Sequence, residues 1–229
     1  MTAPLAVPDA VWLAIDASTY AGSVAVLRGR DVVAARETAM RGEREERLMP
    51  AVVEALGTAG VAPNDLAGLV CGAGPGSFTS LRIAASIAKG IAHATGAPLF
   101  AAPSLALAVA AMQPALGAGR YLASIDALRG ESYAAVVTLD AGDVVGYDYL
   151  GVVAADALDD LSRAHHARRL ASGAEGAAPH ARAVAAITRL LAESGPVDLD
   201  AWEPDYGRKA EAQVKWEAAH GRALPAVGM

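Results

Sequence analysis

Residues 14–36, AIDASTYAGSVAVLRGRDVVAAR, share one layout with residues 124–147, SIDALRGESYAAVVTLDAGDVVGY. Each opens on a short apolar run ending in Ile-Asp-Ala, at Ile15-Asp16-Ala17 and Ile125-Asp126-Ala127. A polar, Gly-containing turn follows, then a β-rich run, Ser23 to Leu27 in the first copy and Tyr133 to Leu139 in the second. A Gly/Asp turn then leads to Asp-Val-Val, at Asp31 to Val33 and Asp143 to Val145. Val, Ile and Ala runs cut by Gly and Asp turns read as three-stranded antiparallel meanders. Two copies separated by about half the chain read as an internal duplication.

After each meander the period changes. REERLMPAVVEALGTAG, residues 44–60, sets Leu48, Val52, Ala55, Leu56 and Ala59 on one helical face, with Gly60 as the stop. LAGLVCG is a buried strand, FTSLRIAASIAKGIAHATG a helix ending at Gly96, PLFAA a strand, and SLALAVAAM a short helix behind a Ser104 cap. In the second half AADALDDLSRAHHA, RRLAS and HARAVAAITRLLAESG repeat helix, strand, helix. The order β-β-β-α-β-α, written twice, predicts two similar α/β subdomains with mixed sheets flanked by helices. The boundary falls at 1–104 and 105–229, the second subdomain being smaller and degenerate and ending in a helical segment, RKAEAQVKWEAAHGR.

The 229 residues suffice for such a pair of cores. Their hydrophobic content is 54% with only 5% aromatic, so Ala, Val and Leu fill the interior and favour closely approaching helices. A net charge of −6 argues against a free-standing nucleic-acid binder, which would carry a basic footprint. The single cysteine, Cys71, excludes an intramolecular disulfide framework and suits a reducing compartment. MTAPLAVPDA lacks the basic and long apolar regions of a signal peptide. Pro98, Pro103 and Pro114 break the most apolar window, so no membrane span is expected. A cytoplasmic protein is the expectation.

The most provocative loop is CGAGPGSFTSLR, Cys71 to Arg82. It fails the phosphate-loop pattern, because Gly76 is followed by Ser77 and Phe78 and Lys89 lies far down the helix. It fails the dinucleotide pattern on glycine spacing and on the missing downstream carboxylate. It fails the nucleophile-elbow pattern at Ser77, whose neighbours do not fit G-x-S-x-G. What remains is a tight strand-to-helix turn, in which Gly74 and Gly76 supply unusual backbone angles and Ser77 or Thr79 caps the helix.

Asp16 and Asp126, each ending a first strand, raise a second chemistry. Paired aspartates in a duplicated α/β fold resemble the phosphate and magnesium loops of actin-like ATPases and sugar kinases. Such loops need small residues after each Asp, so that backbone N–H groups reach phosphate oxygens. Asp16-Ala17-Ser18-Thr19 partly qualifies; Leu128 and Arg129 crowd the loop after Asp126, where Arg129 fits a local turn or ion pair, or meets a phosphate from the side, so nucleotide binding is weakened and not excluded. Asp16, Ser18, Thr19, Asp126 and Arg129 are therefore weak cofactor-site candidates. None of His93, His165, His166, His180 or His220 forms a metal-ligand motif, so no structural or catalytic zinc is expected.

LAIDASTYAGSVAV, ERLMP, GPGSFTSLRIAASIAKGIA, DALRGESYAAV and PDYGRKAEA together resemble the bacterial TsaB (YeaZ) family. The resemblance implies a duplicated actin-like, ribonuclease H-like fold and a partner subunit that is no enzyme by itself. It implies a role in forming threonylcarbamoyladenosine at position 37 of tRNAs reading codons that start with A. The implied partners are a TsaD-like catalytic subunit, which it binds and activates, and a TsaE-like ATPase, with tRNA contacted only indirectly. A homodimer is the other use of the same surface. No cofactor is implied on this chain alone, ATP at the interface of a complex being left open. Carried onto this sequence, the pairing helices are Arg44–Ala59 and the one beginning near Phe78. The interface candidates are Arg44, Arg47, Leu48, Ala51, Phe78, Thr79, Arg82, Ala85, Ser86 and Lys89. The sequence departs from the family pattern at Arg44, Ser80 and Gly207, the last expected to loosen the C-terminal segment. An active ATPase or phosphotransferase using Asp16 and Asp126 is the alternative; a peptidase reading lacks any nucleophile, base and metal set.

Overall fold

The computed structural model describes residues 5, 7–42, 45–112, 115–171, 177–207, 216 and 219–221. The first repeat forms β1 (Val11–Asp16), β2 (Ala21–Arg28) and β3 (Asp31–Ala39), paired antiparallel in sequence order. Helix α1 (Leu48–Ala59) then leads to β4 (Leu66–Gly72), parallel to β1. Helix α2 (Phe78–Thr95) leads to β5 (Leu99–Ala102), parallel to β4, giving a five-stranded mixed sheet of order β3-β2-β1-β4-β5. After α3 (Ser104–Ala110) the second repeat forms β6 (Gly119–Asp126), β7 (Glu131–Asp140) and β8 (Asp143–Ala154). Helix α4 (Leu158–Ala164) and the short β9 (Arg168–Arg169) complete a sheet of order β8-β7-β6-β9. Asp16 and Asp126 are the last residues of corresponding strands, and the β-β-β-α-β-α order is built twice. The final helix, expected as one piece, divides into a 3-10 segment at Ala181–Ile187 and α5 (Thr188–Ser194).

Alternation along the strands builds three apolar layers. On β1, Trp12 and Ala14 face a central core that also takes in α3, one face of the second sheet and the 3-10 segment. Leu13 and Ile15 face the opposite core under α1 and α2. A smaller cluster, with Leu122, Val136 and Leu158, lies beneath α4. Because β1 is buried on both faces, its sequence is a continuous apolar run rather than an alternating one.

Helix α1 starts at Leu48, not at Arg44: the Glu46 carboxylate accepts the Leu48 and Met49 N–H groups and so caps the helix from outside. Gly60 ends it in the left-handed conformation, as expected. Arg44 and most of the expected C-terminal helix, RKAEAQVKWEAAHGR, lie outside the described residues. Among the described residues no helix is long and apolar enough to cross a membrane.

Candidate functional site

The first aspartate is enclosed by its own chain. Asp16 is fully buried; its Oδ1 accepts the Ser18 amide at 3.0 Å and the Ser18 hydroxyl at 2.8 Å. Its Oδ2 accepts the Ser104 hydroxyl at 2.6 Å, and Ser104 Oγ in turn accepts the Gly74 N–H at 3.1 Å. Burial raises the Asp16 carboxyl above its ordinary value, while the serine hydrogen bonds pull it back. Ser104 is thus no helix cap: it opens α3 as its first residue and spends its hydroxyl on Asp16.

The glycine loop closes over this group. A Cβ on Gly72 would lie 1.9 Å from Asp16 Oδ2, and one on Gly76 would lie 2.0 Å from the Ser18 carbonyl oxygen. That carbonyl accepts the Ser77 N–H at 2.7 Å. Gly74 does use a left-handed angle, with φ at 88°. Gly76 serves close approach instead, which corrects the expectation that both glycines supply unusual angles. Ser77 stands at the N-cap position of α2 without capping it; its hydroxyl pairs with that of buried Ser80 at 3.0 Å. Cys71, near the end of β4, is buried, and burial with the nearby Asp16 charge pushes its thiol up.

Thr19 Oγ1 donates to the Ala21 carbonyl at 3.1 Å, tightening the turn into β2. The second aspartate has a different setting. Asp126 Oδ1 accepts the Leu128 N–H at 2.8 Å in an exposed turn whose Leu128 and Arg129 both have positive φ. Among the described residues no ion pair joins Asp126 to Arg129, so the turn is the form observed.

Of the ten interface candidates, Arg44 lies outside the described residues and the other nine occupy different settings. Leu48 and Ala51 on α1 and Ala85 on α2 are buried against the chain's own core. Arg47 is exposed beside the start of α1. Phe78, Thr79, Arg82 and Ser86 line an open groove of about 410 Å³, together with Glu46, Ile83 and Ile87, which the sequence reading had not included. Phe78 is 39% exposed, and on α1 Met49 and Val53 are exposed too. Lys89 turns away to donate to the Trp202 carbonyl at 3.1 Å.

The histidines are scattered, with His180 buried and His220 stacked on Trp216. His165 and His166 follow α4 rather than lying on it. Among the described residues no group of three His, Cys, Asp or Glu side chains could hold a metal ion.

A family model described as "TsaD: tRNA N6-adenosine threonylcarbamoyltransferase" matches residues 38–177. The Bacillus subtilis (strain 168) tRNA threonylcarbamoyladenosine biosynthesis protein TsaB is 30% identical over 89% of this chain and 96% of that protein. The TsaB of Escherichia coli (strain K12) is 40% identical over 53% of this chain and 52% of that one. The solved YeaZ of Pseudomonas aeruginosa superposes with a TM-score of 0.67 and 26% identity, covering 86% of this chain and 99% of that structure. The family model carries the TsaD description, whereas the relative matched over nearly its whole length is a TsaB. The wider coverage decides between them, and the chain belongs to the TsaB (YeaZ) family.

Proposed function

We propose that this chain is a non-catalytic subunit in the formation of threonylcarbamoyladenosine at position 37 of tRNAs reading codons that begin with A. It acts by binding and activating a TsaD-like catalytic subunit, with a TsaE-like ATPase joining them and tRNA held through the complex. The observation that carries the reading is the closed Asp16 site. Both carboxylate oxygens are engaged, the Ser18 amide that would meet a phosphate is turned onto Asp16, and the glycine loop leaves no gap above it. In an actin-like fold this is where phosphate and magnesium would be gripped, so the chain's contribution is better sought on its surface. There, the groove on α2 and the exposed Met49 and Val53 of α1 offer apolar area suited to packing against partner helices. Docking on this face favours the partner's active conformation by differential contact.

The test is size-exclusion chromatography with light scattering on this chain mixed with the TsaD-like protein of the same organism, followed by tRNA modification with the reconstituted set. A one-to-one complex is expected. Phe78→Ala and Arg82→Glu should each lower modification by about tenfold without unfolding the chain. Normal complex formation and unchanged modification in both variants would remove the proposed face. Magnesium-dependent ATP turnover by the lone chain, lost in Asp16→Ala, would replace the reading with the ATPase alternative.

A further inference from the structure

After α5 the chain does not stay with the second lobe. The Val197 N–H donates to the Leu99 carbonyl at 2.8 Å, and Val197, Leu199 and Trp202 pack against the core beneath α1 and α2. The Asp205 N–H then donates to the Ala73 carbonyl at 2.7 Å. Gly74 approaches the same segment so closely that a Cβ would lie 2.1 Å from the Asp205 carbonyl oxygen. The next residue, Tyr206, sets its ring 4.5 Å from that of Phe78 at 47°. Its carbonyl accepts the Tyr133 hydroxyl of β7 at 3.2 Å. Gly207, at φ 67°, has the Tyr133 ring where a Cβ would be, 2.3 Å away. Gly207 therefore lets the segment sit directly against Tyr133 of the second lobe; the segment it was expected to loosen, RKAEAQVKWEAAHGR, lies almost wholly outside the described residues.

Phe78 is the first residue of α2, lines the groove and is 39% exposed. Among the described residues its ring meets the Tyr206 ring and the Arg82 guanidinium, the latter 5.1 Å from the Phe78 ring centroid. Arg82 is one turn along the same helix, so of these two ring contacts Tyr206 comes from another part of the chain.

We propose that residues 202–207 form a strap that positions the docking face, with the Tyr206 ring as the positioning group for Phe78. The inference rests on the reading that this face docks a TsaD-like subunit. A preset Phe78 loses less side-chain freedom on binding, which is how such a strap raises affinity. Because the strap is also tied to Tyr133, the docking face is built by both lobes, not by α1 and α2 alone.

The experiment compares Tyr206→Ala and Tyr206→Phe in the full chain, with Tyr206→Leu replacing the alanine variant if circular dichroism shows it unfolded. Amide hydrogen exchange on the isolated chain should accelerate at least threefold at Ser77 and Leu81 in the alanine variant, and stay at wild-type rates in the phenylalanine variant. Affinity for the TsaD-like protein, measured by calorimetry, should fall about tenfold in the alanine variant and recover to within twofold with phenylalanine. Unchanged exchange and affinity in the alanine variant, or loss of both in the phenylalanine variant, would overturn the strap. A wild-type chain that binds no TsaD-like protein would overturn the proposed function instead, and the exchange comparison would still decide the strap.

Discussion

His180 Nε2, at the start of the second lobe's 3-10 segment, lies 2.8 Å from Glu37 Oε1 on β3 of the first lobe. The other ring nitrogen, Nδ1, accepts the Arg182 N–H at 3.0 Å. The neutral ring therefore carries its proton on Nε2 and donates it to Glu37. Beside this pair, Ser23 Oγ accepts the Ala181 N–H at 3.0 Å, so two hydrogen bonds fasten the lobes at one place. Adding a second proton would set two N–H groups, Nδ1 and Arg182, against each other.

That arrangement gives a pH dependence with a definite sign. Burial first, then the Arg182 charge, lower the His180 pKa below its ordinary 6.5, and Glu37 and Asp16 offset only part of this. The unfolded chain then binds the proton more readily, so stability is lost as pH falls below about 6.5. Asn in place of His180 keeps an acceptor for Arg182 and cannot titrate. Urea unfolding at pH 7.5 and 5.5 should show wild type losing stability on acidification and His180→Asn losing less; equal losses would contradict the assignment.

Asp16 titrates in the opposite sense. Its carboxyl is raised by burial, so its neutral form suits the folded chain, and the stability it contributes declines as pH rises from 3.8 through the raised value. At pH 7, Asp16→Asn should be within about 1 kcal/mol of wild type or above it. Asp16→Ala should cost about 1–3 kcal/mol, because buried Ser18 and Ser104 lose their acceptor. Chemical denaturation measures both; a severe loss in the asparagine variant would show that the charge itself holds the loop.

The glycines separate by what surrounds them. Gly72→Ala, with a Cβ 1.9 Å from Asp16 Oδ2, should destabilise by about 3 kcal/mol or more. Gly90→Ala, in the middle of α2 with nothing within 4 Å of its Cβ, should stabilise by about 0.5–1 kcal/mol. Thermal melts of the two variants should move in opposite directions.

The surface of α1 gives a further contrast. Val53 is 59% exposed on the helix that carries buried Leu48. Val53→Glu should weaken association with a TsaD-like subunit about tenfold and leave the melting temperature nearly unchanged. Leu48→Ala should instead cost about 2–5 kcal/mol of stability through the cavity it opens. A Val53→Glu chain that binds normally would place the docking face elsewhere.

The duplication was legible because it is local. Ile-Asp-Ala, the glycine turns and the strand periods all lie within a few residues of one another, and the structure pairs the strands antiparallel as expected. The helix faces followed from the 3.6-residue period for the same reason, and so did the Gly60 stop. The closure of Asp16 was not legible: its decisive partner, Ser104, is 88 residues away, and a serine opening a helix reads as a cap when seen alone. The Glu37–His180 pair and the Phe78–Tyr206 contact span the lobes and leave no periodic trace. The burial of Leu48, Ala51 and Ala85 was not legible either, because a small or apolar stripe looks alike whether it meets its own sheet or another protein.

Cys71 gives the molecule its own reporter. The thiol is buried in β4, which pairs with β1, and it is the only one in the chain. A thiol-reactive dye can therefore report only moments when the first lobe opens, since the second has no group to label. The labelling rate, followed under native conditions, becomes a clock for one half of a duplicated protein, and any ligand or partner that steadies that half will slow it.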